Sequence, residues 1–411
     1  MSFLTLNTDS NKKFVLYGNT GKWALTNNVN EEVKKELTKP YFKKRFRGTR
    51  LVVLNIGRQC NLDCNYCHVG DLKKENEVMS YKVGKKAIDR VLELDENNRR
   101  IVFHGSEPLM NFGVIKKIVD YSNKKTKTID FSMQTNGTLL DNENLGYMKK
   151  NKVSIGISLD GLKTHQDFNR PYRSGGSSYM DVVNNVEKTK DVQGGISVIS
   201  VVTKYNVDDL LSIAKDFTRK GIDSVLFSPV SSTDNSNIAP NPKVLTKNML
   251  TLFDEYIFNI ADSIKSVKIR NFRDALRTFF MDKITTNCVK CGGDDLHPLI
   301  AIDVNGSIYP CDFFWSRQEY SMGNIFDTSL NDAINSPKNM RVSRNLNGLE
   351  SCIKCDWKMF CGSGCPGGSM KNGKGISAKN PYCYYSKKIL EYTAKKIPFL
   401  HENRLIGKIL D

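Results

Sequence analysis

Three cysteines spaced C-x3-C-x2-C, Cys60, Cys64 and Cys67, follow directly on the apolar run Leu51–Ile56. Three thiolates are one too few to close a four-iron cube, so such a loop leaves one iron open to a small molecule. A structural metal site, by contrast, normally fills every ligand position. The spacing therefore points to catalysis, and it ties that chemistry to the end of a strand.

The other eight of the eleven cysteines lie between 288 and 383, with none over 68–287. Clustering of this kind marks ligands. A secreted disulfide framework is the competing reading, but the count is odd and Met1–Ser10 lacks a basic region followed by an apolar run. No apolar stretch reaches the roughly 18 residues of a membrane span. A reduced cytoplasmic location is expected. The length of 411 residues, with 39% hydrophobic and 26% charged side chains, suits two or three globular domains. A net charge of +17 could draw nucleic acid, an acidic peptide or a membrane surface. The basic residues are scattered in pieces such as Lys43–Arg47, Lys116–Lys117 and Lys395–Lys396, so a solvated surface is preferred and neither nucleic acid nor membrane is expected as a partner.

Residues 1–48 hold two strand-like pieces, 13–17 and 22–26, joined by Gly18-Asn-Thr-Gly21, which predicts a hairpin, then a helix from about Asn30. From Arg50 onward apolar runs at 51–56, 101–103, 129–133, 153–158, 196–202 and 224–228 alternate with helix-length segments. Six such alternations predict an α/β fold with a parallel sheet or partial barrel over 49–242, its chemistry at the C-terminal ends of the strands. A helical linker, with a helix at about 245–264, is expected over 243–287, a cysteine-rich domain over 288–390, and a helix or tail over 391–411.

Residues suited to holding a nucleoside and an amino acid stand after these strands. The second runs into His104-Gly105-Ser106-Glu107-Pro108, an anionic acceptor beside a glycine that permits close backbone approach. The third ends in Gln134-Thr135-Asn136-Gly137. The fourth ends in Ser158-Leu159-Asp160-Gly161, whose hydroxyl and carboxylate suit ribose, and Asp167-Phe168-Asn169-Arg170 follows. Each alone reads as well as a surface turn or helix cap; their order along one strand succession carries the weight. Together with the cysteine loop they resemble the motifs of radical S-adenosylmethionine (SAM) enzymes. The resemblance implies a partial (β/α)6 TIM-like barrel whose open iron binds the amino and carboxylate groups of SAM. It implies that Gly105, Ser106 and Glu107 accept the ammonium, with Ser106 standing where the family has a second Gly. Gln134, Thr135 and Asn136 would flank the site, and Arg170 would pair with the carboxylate as a charged fork. Arg173 is a rival for that role, and His165 stands one residue too far from Asp167 to take over the family histidine's.

The downstream cysteines read Cys288-x2-Cys291, Gly306-x4-Cys311, Cys352-x2-Cys355-x5-Cys361-x3-Cys365, then Cys383. Paired C-x2-C units also build zinc ribbons, and zinc is the alternative. The full pattern resembles the SPASM domain. That resemblance implies one auxiliary cluster on Cys288, Cys291, Cys311 and Cys365 and a second on Cys352, Cys355, Cys361 and Cys383, so that SAM and three [4Fe-4S] clusters are the expected cofactors.

Enzymes of this kind modify side chains of ribosomally made peptides or proteins, and anaerobic sulfatase maturases share the architecture. Tyr309–Phe314, Met322–Ile325 and Cys355–Cys361 match the maturase style of SPASM domain. By that likeness Asp312 would be a catalytic base; the alternative is an Asp satisfying backbone donors. His68 after the last motif cysteine, where maturases carry an aromatic residue, and Ser106 depart from the maturase pattern. The first expectation is a peptide maturase forming a thioether or other cross-link, fed by flavodoxin or ferredoxin, with the N-terminal hairpin free to receive a leader peptide by strand addition. Formylglycine formation is second, and a zinc-containing nucleic-acid-binding protein is the alternative of another class.

Overall fold

A computed structural model describes residues 3–39, 51–67, 69–70, 76–94, 99–230, 237–280, 299–315, 317–342, 348–370 and 375–411. Cys288, Cys291 and His68 lie outside the described residues.

Strands β1 (Phe3–Asn7), β2 (Lys13–Tyr17) and β3 (Lys22–Thr26) form an antiparallel sheet in that order. The hairpin is where its turn residues placed it, and β1 adds an edge. Helix Glu31–Thr38 follows, capped by the Asn30 side chain, which accepts from the Val33 amide.

The main sheet is built on six parallel strands in sequence order: β4 (Leu51–Asn55), β5 (Arg100–His104), β6 (Asp130–Thr135), β7 (Ser154–Ser158), β8 (Ser197–Val202) and β9 (Ser224–Pro229). Parallel neighbours require crossovers, and helices such as Tyr81–Leu92, Phe112–Lys125, Asn142–Lys150, Tyr179–Gln193 and Leu210–Arg219 supply them. Residues alternate along the strands. Ile101, Phe103, Phe131, Met133, Ile155 and Ile157 are buried, while Val102, Ser132, Gln134 and Gly156 between them are only half-buried. The α/β partial-barrel expectation accords with this succession.

Sheet formation does not stop at 242. β10 (Lys268–Ile269) joins β9 in parallel, and β11 (Leu299–Ile302) joins the far edge beside β4, followed by antiparallel β12 (Ile308–Tyr309). An apolar edge strand is thereby paired rather than left open. The long helix Pro242–Ala261 starts at a proline, with Asn241 accepting from the Lys243 amide. The last long helix, Cys383–Glu402, begins on a cysteine and runs through the boundary expected at 390.

The N-terminal sheet is packed into the same core. Phe14 is fully buried, stacks on Trp23 at 5.3 Å and on Trp357 at 6.3 Å, and meets Phe279 edge-on. A Cβ at Gly18 would sit 2.7 Å from the Cα of Asp356, so the hairpin turn lies directly on the Cys355–Cys361 segment. Among the described residues no helix is long and apolar enough to cross a membrane.

Candidate active site

The cysteine loop leaves the C-terminal end of β4 and is strapped down by the segment after β7. The Asp63 amide donates to the Pro171 carbonyl at 2.9 Å, the Asn65 amide to the Asn169 carbonyl at 3.1 Å, and the Arg173 amide to the Asn61 carbonyl at 2.9 Å. The Cys67 amide turns back to the Cys64 carbonyl at 3.1 Å. Cys60 is buried, and the Leu62 amide lies 3.4 Å from its sulfur. Side chains tie the loop to the next strand ends as well: Asn136 Nδ2 donates to Asn61 Oδ1 at 2.9 Å, and Asn61 Nδ2 to Thr138 Oγ1 at 2.8 Å.

Arg170 is buried and Arg173 is exposed. Arg170 Nε lies 3.1 Å from Asp160 Oδ1, and its guanidinium stands 5.3 Å from the centre of the Tyr66 ring. Tyr66, inside the cysteine loop, donates its hydroxyl to Asp160 Oδ2 at 2.5 Å, and the Val201 amide donates to Oδ1 at 2.9 Å. Burial opposes the Arg170 charge, but the carboxylate of Asp160 and the neighbouring Tyr66 and Cys64 offset it, so the guanidinium is held above its ordinary pKa. Burial also lifts the Tyr66 phenol well above its ordinary range; Arg170 opposes this, while Asp160 and Cys64 add to it. The cysteine loop and the arginine are thus coupled electrostatically. Among the described residues, the Arg170 guanidinium has the Asp160 carboxylate and the Tyr66 ring beside it.

Two acidic residues expected at the site already have protein partners. The Asp160 carboxylate is wholly buried and meets Arg170, Tyr66 and the Val201 amide. In Glu107, Oε1 takes the Leu109 amide at 3.0 Å and Thr135 Oγ1 at 2.7 Å, and Oε2 takes the Asn136 amide at 2.7 Å. Three of its roughly four acceptor positions are therefore filled by protein, and Thr135 is spent on the same bond. Burial raises the Glu107 pKa; these three donors and Arg170 lower it without cancelling the rise.

The remaining expected residues face one another at the strand ends. Gln134 Nε2 donates to Ser158 Oγ at 3.0 Å, from β6 to β7. Gly105 has φ +125°, open in practice only to glycine, and a Cβ there would sit 2.8 Å from the Gly57 carbonyl oxygen. Ser106 Oγ is buried and has no hydrogen-bond partner among the described residues. A glycine-bearing cradle with a buried guanidinium and a carboxylate at the strand ends, next to a three-thiol loop, fits an amino-acid-bearing cofactor on an iron–sulfur cube.

Cys352, Cys355, Cys361 and Cys383 line one cleft of about 390 Å³, part of it open to solvent. Burial pushes the Cys361 thiol up to about 12, and the neighbouring Cys383, Cys355 and Cys352 sulfurs add to this. Four mutually repelling thiolates are the donor set that iron neutralises. Cys311 and Cys365 belong to segments packed together through the Phe313 ring against Gly367, and the Gly368 amide lies 3.4 Å from the Cys365 sulfur. Asp312 opens the short 3-10 turn Asp312–Phe314 directly after Cys311. None of the nine described cysteines is in a disulfide with another described residue.

Sequence reasoning missed Tyr66, although it is the one aromatic residue between Cys60 and Cys67. It also missed Asn55, Arg58 and Asp303, which lie 248 and 245 residues apart and so share no local pattern.

The Radical SAM superfamily family model matches residues 54–217, and the SPASM iron-sulfur cluster-binding domain matches 296–356. The chain is 28% identical over 355 residues to a cysteine-type anaerobic sulfatase-maturating enzyme of Clostridium perfringens, covering 82% of this chain and 94% of that one. It is 33% identical over 219 residues to an uncharacterized protein of Methanocaldococcus jannaschii, covering 52% of this chain and 75% of that one. The solved structure of native anSMEcpe with bound AdoMet and Cp18Cys peptide superposes with a TM-score of 0.75 at 25% identity, covering 88% of this chain and all of that one. The chain belongs to the radical SAM superfamily, as a radical SAM/SPASM enzyme related to the anaerobic sulfatase maturases.

Proposed function

We propose that this enzyme oxidises a side chain of a ribosomally made peptide or protein, forming a thioether or other cross-link. When bound, SAM and the [4Fe-4S] clusters supply a 5'-deoxyadenosyl radical that takes a hydrogen atom from carbon. Cys60, Cys64 and Cys67 would hold the N-terminal cluster with one iron left to SAM. Arg170, held by Asp160 beside Tyr66, would pair with a carboxylate. The Gly105–Ser106 backbone and the remaining lone pair of Glu107 suit an ammonium, and the Gln134–Ser158 pair suits ribose hydroxyls. Cys288, Cys291, Cys311 and Cys365 would hold one auxiliary cluster, and Cys352, Cys355, Cys361 and Cys383 the other. Asp312, next to Cys311, would take the substrate proton. A flavodoxin or ferredoxin in a reducing compartment such as the cytoplasm would donate the electron.

The observation that carries this reading is that Arg170, paired with Asp160, stands over the ring of Tyr66 inside the three-thiol loop, and Tyr66 donates to the same carboxylate. Its test is anaerobically reconstituted enzyme with SAM, dithionite and candidate peptides encoded beside the gene. The expected result is 5'-deoxyadenosine together with a peptide that has lost a hydrogen pair and reacts with no aldehyde probe; absence of 5'-deoxyadenosine would overturn it. The second reading, formylglycine formation, is favoured by the likeness extending over 94% of the C. perfringens maturase. An aldehyde-reactive product from a sulfatase peptide would select it.

A further inference from the structure

The cleft bounded by Cys352, Cys355, Cys361 and Cys383 also carries Lys358, Lys379 and Lys387, and its lining includes no carboxylate. Cys383 and Lys387 stand four residues apart on the helix Cys383–Glu402, so they share one face. Lys387 and Lys379 line this cleft together with Cys352, Cys355 and Cys383, which places both cations beside these sulfurs. At the N-terminal site the arrangement differs, because Arg170 beside Cys64 is matched by the buried carboxylate of Asp160.

We propose that Lys387, seconded by Lys379, raises the reduction potential of the cluster on these four cysteines and so makes it the preferred electron acceptor within the protein. This rests on the reading that the four cysteines hold a cluster. A four-iron cube on four thiolates is already an anion when oxidised, and reduction adds one more negative charge. A cation beside the ligand sulfurs, in a cleft whose described lining has no carboxylate to match it, therefore favours the reduced form, since net charge around the cluster is one of the factors that set such potentials. The balance is simple: the substrate radical loses one electron to this site and one proton to a base, and the site passes the electron to an external acceptor protein.

The experiment is a redox titration followed by electron paramagnetic resonance on reconstituted full-length enzyme. The variants are Lys387→Gln, Lys379→Gln and Lys387→Arg, with Cys361→Ala in parallel. In Lys387→Gln one cluster's midpoint should move to lower potential while the other signals stay in place. Lys387→Arg should restore it, and Lys379→Gln should give a smaller shift in the same direction. Raised ionic strength should lower the wild-type midpoint more than that of Lys387→Gln. Unchanged midpoints in both glutamine variants, at wild-type iron content, would overturn the proposal. If Lys387→Gln loses iron, Lys379→Gln and the ionic-strength dependence decide it. Cys361→Ala that keeps every signal and all its iron would instead overturn the cluster reading itself.

Discussion

Arg58 Nη2 meets Asp303 Oδ2 at 2.9 Å, with both side chains almost wholly buried. Arg58 stands two residues before Cys60, and Asp303 follows directly on β11, so this ion pair locks the cysteine loop to the strand that opens the C-terminal region. Asn55 Nδ2 adds a bond to Asp303 Oδ1 at 2.7 Å, and Arg58 Nε reaches Glu77 at 2.9 Å. Asp303→Ala leaves the guanidinium buried without its main counter-charge, and the cost expected is about 3–5 kcal/mol. Urea unfolding of the iron-free protein measures it. A loss below about 1 kcal/mol, the range of an exposed pair, would show that the loop does not depend on this bond.

Tyr66, Asp160 and Arg170 should behave as one unit. Tyr66→Phe removes a hydrogen bond to a buried carboxylate and should cost about 1.5–3 kcal/mol. Asp160→Asn strands a buried arginine and should cost more, and the double variant should lose less than the sum of the two. A double-mutant cycle in stability, paired with SAM affinity, checks this; strict additivity would mean that the phenol and the carboxylate act separately.

Glu107 gives a pH dependence with a definite sign. Burial holds its folded pKa above the unfolded value of about 4.3, so the folded chain binds the proton more tightly. Its contribution is fully present below that unfolded value and is lost as pH rises through the folded pKa. The stability advantage of wild type over Glu107→Gln, measured by urea unfolding across acid to neutral pH, should therefore shrink with rising pH. An advantage that grows with pH would contradict the burial argument.

The two cysteine sets should separate in function. Cys60→Ala is expected to abolish SAM cleavage, whereas Cys383→Ala should retain part of it and form no modified peptide. Quantified 5'-deoxyadenosine and peptide mass distinguish them, and cleavage retained in Cys60→Ala would remove the N-terminal cluster from the reaction.

Phe14→Ala tests whether the N-terminal sheet is part of the body of the enzyme. Phe14 is fully buried between Trp23, Phe279 and Trp357, so its truncation should cost about 3–5 kcal/mol of global stability. A separate recognition module would instead melt in its own transition, visible by calorimetry.

The sequence by itself determined the strand succession from Leu51 to Pro229, the hairpin at Gly18–Gly21 and the grouping of the thiols. Each of these is written in local spacing: period-2 apolar runs, turn residues, and cysteines a few positions apart. It also marked the strand ends as the site, because parallel α/β sheets leave their loops there. Only the tertiary structure decided which polar groups are free. Glu107 and Asp160 look alike as acidic residues after strands, yet donors from Thr135 and Asn136 leave Glu107 little acceptor capacity, while Tyr66 and the Val201 amide bond to the Asp160 carboxylate that faces Arg170. Arg170 and Arg173 differ by three positions in sequence and by burial in space. The pairing of β11 with β4 and the Arg58–Asp303 lock are likewise invisible in one dimension, since contacts across about 250 residues leave no periodic trace and arise only when buried charges must find partners.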